Sequence, residues 1–180
     1  MPTHEVVTLS QRDFEQNNFH TVREGRLYRS AQIPAARLTA YIEKFNIKTV
    51  INLRSTAERF VCCRGEEEAA AKGGCKVVYA PLSASRASTR EELQTLLAIF
   101  DKEAEPFLIH CSQGINRTGE ACALWLLDKA AATNEEALQQ FDKKFGYTFS
   151  SRPEKYLLIQ AWQGRKWLLQ SYNPNKLTQE

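Results

Sequence analysis

Cys111 and Arg117 stand with five residues between them in the run His110-Cys111-Ser112-Gln113-Gly114-Ile115-Asn116-Arg117-Thr118-Gly119. A thiol and a guanidinium at that spacing suit attack on a bound anion. A loop of this length, held between a strand end and a helix start, closes into a ring of backbone N–H groups. The positive end of the helix dipole then points into the ring, which makes an anion site. Cys111 would lie at its centre, where the same field favours the thiolate, the reactive form of cysteine. Arg117 would offer a planar fork of donors that matches phosphate oxygens. The expected chemistry is a nucleophile aimed at a phosphoryl group.

The flanking residues supply the strand and the helix that such a loop needs. Phe107-Leu108-Ile109 is short and apolar and reads as a strand. Glu120-Ala121-Cys122-Ala123-Leu124-Trp125-Leu126-Leu127 follows as an almost wholly apolar helix, which must be buried. Upstream, Pro34 suits a first helical position, and Leu38, Tyr41, Ile42 and Phe45 then recur at helical spacing. The β-branched run 47–53 predicts a strand, 64–72 a helix stopped by Gly73-Gly74, and 75–79 a second strand. Ser88 or Thr89, with a glutamate three residues on, opens a helix carrying Leu93, Leu96, Leu97 and Phe100. Thr133 with Glu136 opens another, expected to carry Leu138, Phe141 and Phe145. Pro153 begins a long one in which Leu158, Trp162 and Leu169 share a face. Strands separated by helices imply an α/β fold: one domain over 1–180 with its core at about 17–170, built on a central, mainly parallel sheet with helices on both faces.

Composition narrows the function classes. Of the 180 residues 43% are hydrophobic and 25% charged, as in a soluble globular domain. A net charge of +3 gives no reason to expect nucleic acid as a partner. No apolar run reaches the ~20 residues of a membrane span, and the first residues show no signal-peptide pattern. Five cysteines without regular spacing, and no C-x-x-C pair, argue against a disulfide framework and for a reducing, cytoplasmic setting. With only His4, His20 and His110 available, no metal site and no cofactor is expected. Cys62, Cys63, Cys75 and Cys122 read as inert thiols, although one of them could trap an oxidised Cys111. Trp125, Trp162 and Trp167 read as core.

The run HCSQGINRT matches the H-C-x-x-G-x-x-R-[ST] pattern and so resembles the protein tyrosine phosphatase superfamily. Gly25-Arg26-Leu27-Tyr28-Arg29-Ser30-Ala31-Gln32 and Val50-Ile51-Asn52-Leu53-Arg54-Ser55, with Glu58, are similar to the N-terminal half of its small dual-specificity-like members. Together these motifs span about residues 17–130. The resemblance implies a cysteine-phosphatase fold and a phosphocysteine intermediate on Cys111. Arg117 and the N–H groups of Ser112, Gln113, Gly114, Ile115 and Asn116 would hold the phosphate oxygens. Thr118 would donate to the Cys111 sulfur. His110 and Gly119 would support the loop, Gly114 and Gly119 by backbone angles other residues resist. Arg29 would act as scaffold or brace.

A general acid is not assigned. The family places an aspartate in a loop about 25 to 35 residues before the cysteine, but residues 80–92 contain none. The alternatives are Glu91, Glu92 or Asp101, a water, or a position, Ala84, where an aspartate has been lost. Asn116 likewise stands where some relatives have an aspartate. Arg54, Arg86 and Arg90 are candidates for a basic substrate rim, Arg54 equally for an ion pair with Glu58. The expected substrate is a phosphorylated protein or small phosphoester: phosphotyrosine first, then phosphoserine or phosphothreonine. A phosphate-binding adaptor with little turnover, a phosphoinositide or inositol phosphate phosphatase, and a sulfurtransferase or arsenate reductase are the competing readings. The oligomeric state is not legible.

Overall fold

The structure is a computed structural model that describes residues 8–177, the side chains of 61 and 62 excepted. His4 therefore lies outside the described residues, as does the Cys62 side chain. The strands β1 (His20–Arg23), β2 (Leu27–Ser30), β3 (Thr49–Asn52), β4 (Lys76–Tyr79) and β5 (Phe107–His110) form a sheet in the order β1-β2-β5-β3-β4. Helical segments separate β2, β3, β4 and β5 in sequence. The chain must therefore cross over between them, and β5 runs parallel to both β2 and β3, as β3 does to β4. β1 is the antiparallel edge, joined to β2 by a tight turn at Gly25, where φ is +68°.

The helices are α1 (Gln11–Gln16), α2 (Ala35–Phe45), α3 (Thr56–Cys62), α4 (Glu66–Lys72), α5 (Arg90–Lys102), α6 (Asn116–Lys129), α7 (Asn134–Leu138), α8 (Pro153–Ala161) and α9 (Arg165–Gln170). Side chains alternate across the sheet with period two and split the core in two. Tyr28, Val50 and Leu108 pack with Leu38, Tyr41 and Ile42 of α2 and with Ala69 and Ala70 of α4. Leu27, Ile51, Phe107 and Ile109 pack against α5, α6, α8 and α9 through Leu96, Leu124, Leu158 and Leu168. α6 is buried nearly all round, with Trp125 fully enclosed, as its composition requires. No helix of the described residues is long and apolar enough to cross a membrane.

Several expectations need correction. The helix opened by Thr133 ends at Leu138. Phe141 and Phe145 sit in two separate 3-10 turns, because Asp142 is extended and caps the second of them. The helix from Pro153 stops at Ala161, since Trp162 is extended and Gly164 takes φ +97° before α9 begins. Leu169 consequently leaves the shared face and is 50% exposed, whereas Leu158 and Trp162 are buried. Trp125 and Trp162 are core, and the half-buried Trp167 packs edge-on against Trp162. The motif stretches around Arg29 and Glu58 contribute β2 and the start of α3, elements that periodicity alone does not announce.

Candidate active site

The cysteine loop leaves the sheet at its middle strand. β5 ends at His110, and α6 begins at Asn116, so residues 111–115 form the whole turn. Its carbonyls are all taken by donors from outside the loop. Ser112 O accepts from Gln32 N (3.0 Å), Gln113 O from Asn18 Nδ2 (3.0 Å), Gly114 O from Arg29 Nη2 (2.8 Å) and Ile115 O from the same nitrogen (3.4 Å). Carbonyls turned outward leave the N–H groups turned inward, and the first N–H groups of α6 have no helical acceptor in any case. A ring of donors results.

Gly114 makes this geometry possible. Its φ is +69°, and a Cβ there would lie 2.5 Å from the Ser30 carbonyl and the Ala31 nitrogen. Gly119 is needed for a different reason from the expected one: it is helical, and a Cβ would press on the Gln140 carbonyl at 3.0 Å and on Phe141. Space, not backbone angle, selects it. Arg29 is buried beneath the loop, with Nη1 on both oxygens of Gln140 (2.8 and 2.9 Å) and its guanidinium 3.8 Å from the Phe145 ring centre. It braces the loop from below.

Cys111 is buried at the bottom of a cavity of about 320 Å³. Burial alone would push its thiol up. The Thr118 hydroxyl, the Arg117 charge and the N–H groups of Gly114 and Thr118 outweigh that and bring it below the ordinary thiol value. Arg117 is buried, and its two Nη atoms each donate to a Glu58 oxygen at 2.9 Å. That bidentate grip spends one edge of the guanidinium and leaves the edge with Nε for a second anion. Glu58 is delivered by α3, where it closes a capping box with Ser55. Its carboxyl is held at about 2, chiefly by the Arg117 bond, so it stays ionised. Arg54 Nε lies 3.7 Å from the same carboxylate, which makes Arg54 an ion-pair partner of Glu58.

His110 points to the other side of the sheet. Its Nε2 stands 2.9 Å from Glu66 Oε1, and Glu66 also accepts from Gln32 Nε2 (2.8 Å) and Asn52 Nδ2 (2.7 Å). Burial would raise the Glu66 carboxyl, but His110 and these amides bring it below its usual range. Glu66, from α4, thus ties the ends of β3 and β5 together, a link the sequence reading missed.

The cavity is lined by Cys111, Ser112, Gln113, Ile115, Asn116 and Arg117 of the loop, and by Ala84, Ser151 and Arg152 facing them. Arg86 and Arg90 are not part of this lining. Arg86 pairs bidentately with Glu92, and Arg90 donates to the Tyr172 carbonyl at 2.9 Å. Arg152 is the basic residue that the fold brings there, and no spacing in the sequence signalled it. Of the candidate acids, Glu92 caps α5, Glu91 sits in its first turn, and Asp101 is bound by Arg165 and Lys129. None lines the cavity. Ala84 does. Among the described residues no cluster of His, Cys, Asp and Glu could hold a metal. Cys122 is wholly buried in α6, and burial pushes its thiol to about 12, so it packs as an apolar group.

A family model described as "DSP-PTPase phosphatase fused to NAD+ Kinase" matches residues 1–154. The chain belongs to this family. It is 32% identical over 115 residues to the dual specificity protein phosphatase TpbA of Pseudomonas aeruginosa (strain UCBPP-PA14), a match covering 61% of this chain and 49% of that one. The chain thus spans about half the length of the curated relatives it matches. The crystal structure of P. aeruginosa TpbA superposes with a TM-score of 0.62 at 22% identity, over 83% of this chain and 87% of that one. The core catalytic domain of the PP-IP phosphatase SIW14 from S. cerevisiae gives 0.64 at 20% identity, with the same coverage. At these identities the structures establish the family's α/β fold, with its five-stranded, mostly parallel sheet.

Proposed function

We propose that this chain is a cysteine-dependent phosphatase, working as one phosphatase domain in a reducing, cytoplasmic setting. The observation that carries the reading is Cys111 at the floor of a cavity, its thiol lowered by Thr118 and Arg117 within a ring of inward N–H groups. The thiolate attacks phosphorus and forms a phosphocysteine. Arg117 and the loop N–H groups hold the equatorial oxygens as charge builds on them. Thr118 steadies the thiolate before attack and again as it leaves in the second step. Glu58 and Arg54 keep the Arg117 fork in place, and His110 with Glu66 fixes the strand end from which the loop departs.

The dual-specificity relatives support phosphorylated proteins as substrates, with phosphotyrosine favoured. A phenolate leaves near pKa 10, whereas an alkoxide, comparable with water at ~15.7, needs a proton that no lining side chain supplies. Hydrolysis of an aryl phosphate without added metal, blocked by vanadate and abolished in Cys111→Ser, is the expected result. Wild-type rates in Cys111→Ser would overturn the mechanism. The acid-free wall also fits a second reading, an adaptor that binds phosphate and turns over little. Single-turnover release from a phosphotyrosine peptide separates the two, because an adaptor saturates and frees no phosphate.

A further inference from the structure

The second half of the reaction needs a water molecule, aimed at phosphorus from the place the leaving group has just vacated. Entering and departing groups lie in line on phosphorus. The water that cleaves the phosphocysteine therefore comes in opposite the Cys111 sulfur, on the side of the outer wall. Accepting the water's hydrogens turns an oxygen lone pair toward phosphorus, so that side of the cavity must offer an acceptor. Most of the lining cannot. Ala84 has no polar side chain, and its carbonyl already accepts from Arg152 Nε at 2.5 Å. The Ser151 carbonyl accepts from Arg152 Nη1 at 2.7 Å. Arg152 itself carries donors only. On the loop, Ser112 and Gln113 are exposed, and neither side chain has a hydrogen-bond partner among the described residues to hold it.

Asn116 differs from all of these. It is the first residue of α6, so its backbone is fixed by the helix that also carries Arg117 and Thr118. Its Oδ1 stands 3.4 Å from the Ser151 hydroxyl, which places the amide between the loop and the outer wall. The hydrogen of that hydroxyl is committed to Thr148 O at 2.7 Å, so Oδ1 keeps its capacity to accept. Ser151 Oγ has lone pairs as well, but with its hydrogen spent it has nothing to offer a phosphate. Asn116 Nδ2 makes no hydrogen bond among the described residues and can donate to a phosphoryl oxygen. One side chain thus holds an acceptor for the water and a donor for the group the water attacks. We propose that Asn116 positions the hydrolytic water in the second step. This rests on the phosphatase reading above and adds a residue to it.

The step balances without a side-chain base. The phosphocysteine dianion and water become a thiolate and dihydrogen phosphate. An O–P bond forms, and the S–P electron pair returns to sulfur. One proton of the water stays on the new P–OH, and the other passes to a phosphoryl oxygen. An amide takes up no proton, so Asn116 contributes by orientation alone.

The test is rapid-mixing kinetics with an aryl phosphate of an acidic phenol, which departs without a proton and leaves hydrolysis of the phosphocysteine to limit turnover. The rapid phase of phenolate release then reports formation of the phosphocysteine, and the linear phase its breakdown. Asn116→Ala should keep the rapid phase within about threefold of wild type. Its linear phase should slow about 10- to 100-fold, the cost of a misplaced nucleophile, and acid quenching should trap more phosphocysteine. Asn116→Asp, which keeps an acceptor oxygen, should recover most of the linear rate. A linear phase unchanged in Asn116→Ala overturns the proposal. So does equal slowing of both phases, which makes Asn116 a support of the loop and nothing more. Selective slowing in Gln113→Ala but not in Asn116→Ala overturns it too and hands the role to Gln113. If wild-type protein shows no Cys111-dependent phenolate release in either phase, the phosphatase reading falls and the proposal falls with it.

Discussion

Glu58→Gln would separate the electrostatic work of the Arg117 grip from its shape. The substitution keeps the side-chain volume, removes the charge and leaves one of the two Arg117 bonds without an acceptor. The wild-type carboxyl is held at about 2 against an ordinary 4.5, first of all by the Arg117 bond. At about 1.36 kcal/mol for each tenfold change in proton affinity, this difference is worth ~3 kcal/mol before solvent screening. With 30% of the Glu58 side chain exposed, we expect about half of that, ~1.5 kcal/mol, to appear as stability at pH 7. The pKa is depressed on folding, so the contribution is complete above about pH 4.5 and fades as pH falls toward 2. Urea denaturation of wild type and Glu58→Gln from pH 7 downward gives the measurement. The two stabilities should differ by ~1.5 kcal/mol at neutral pH and converge below about pH 4.5. In parallel, kcat/KM for an aryl phosphate should drop about tenfold, as the Arg117 fork loses its fixed orientation. A stability gap that stays constant down to pH 3 would refute the reasoning, because the carboxylate charge would then not be its source.

Thr118→Val keeps the packing but removes the hydroxyl from the Cys111 sulfur. The acid limb of the kcat/KM–pH profile should move to higher pH, with about tenfold less activity below pH 7, while Thr118→Ser stays near wild type. Gly114→Ala should cost about 3 kcal/mol or more in thermal or chemical unfolding, from left-handed strain plus the clash with Ser30, and should abolish vanadate binding. The Glu120–Lys155 pair, fully buried beside Ser88 with Nζ 2.7 Å from Oε2, gives a fourth test. Lys155→Met should cost about 3–5 kcal/mol by stranding a buried carboxylate, and adding Glu120→Leu should recover most of it in the same denaturation assay.

The nucleophile and the anion loop were legible in the sequence because their chemistry is local. Cys111, Gly114, Arg117 and Thr118 lie in one strand–loop–helix junction, the first two in the turn and the last two in the first turn of α6, and spacing alone brings them together. Glu58 was visible as part of a family motif and as a partner for Arg54, but not as the anchor of Arg117, although Ser55 and Glu58 form a capping box that could have marked the start of α3. Arg152 was not visible at all. It reaches the cavity because α8 packs on α6 and sets residue 152 beside residue 84, a juxtaposition of distant segments that no periodicity encodes. Arg86 and Arg90 are near Ala84 in sequence but do not line the Cys111 cavity itself: Arg86 pairs with Glu92 and lines the neighbouring cavity with Ser151 and Arg152, and Arg90 donates to the Tyr172 carbonyl. The helix that was expected to run unbroken from Pro153 shows that apolar spacing continues across a Gly164 turn it cannot detect.

β2, β5 and β3 run in level register, Ser30 beside His110 and His110 beside Asn52. The strand that launches Cys111 is therefore hydrogen-bonded along both edges and can come loose only when the whole sheet does. Ala84 and Arg152 belong to irregular segments with no such anchorage. The seat of the nucleophile is thus as durable as the sheet itself, whereas the facing wall of the cavity depends on loop contacts that can shift without unpairing a strand.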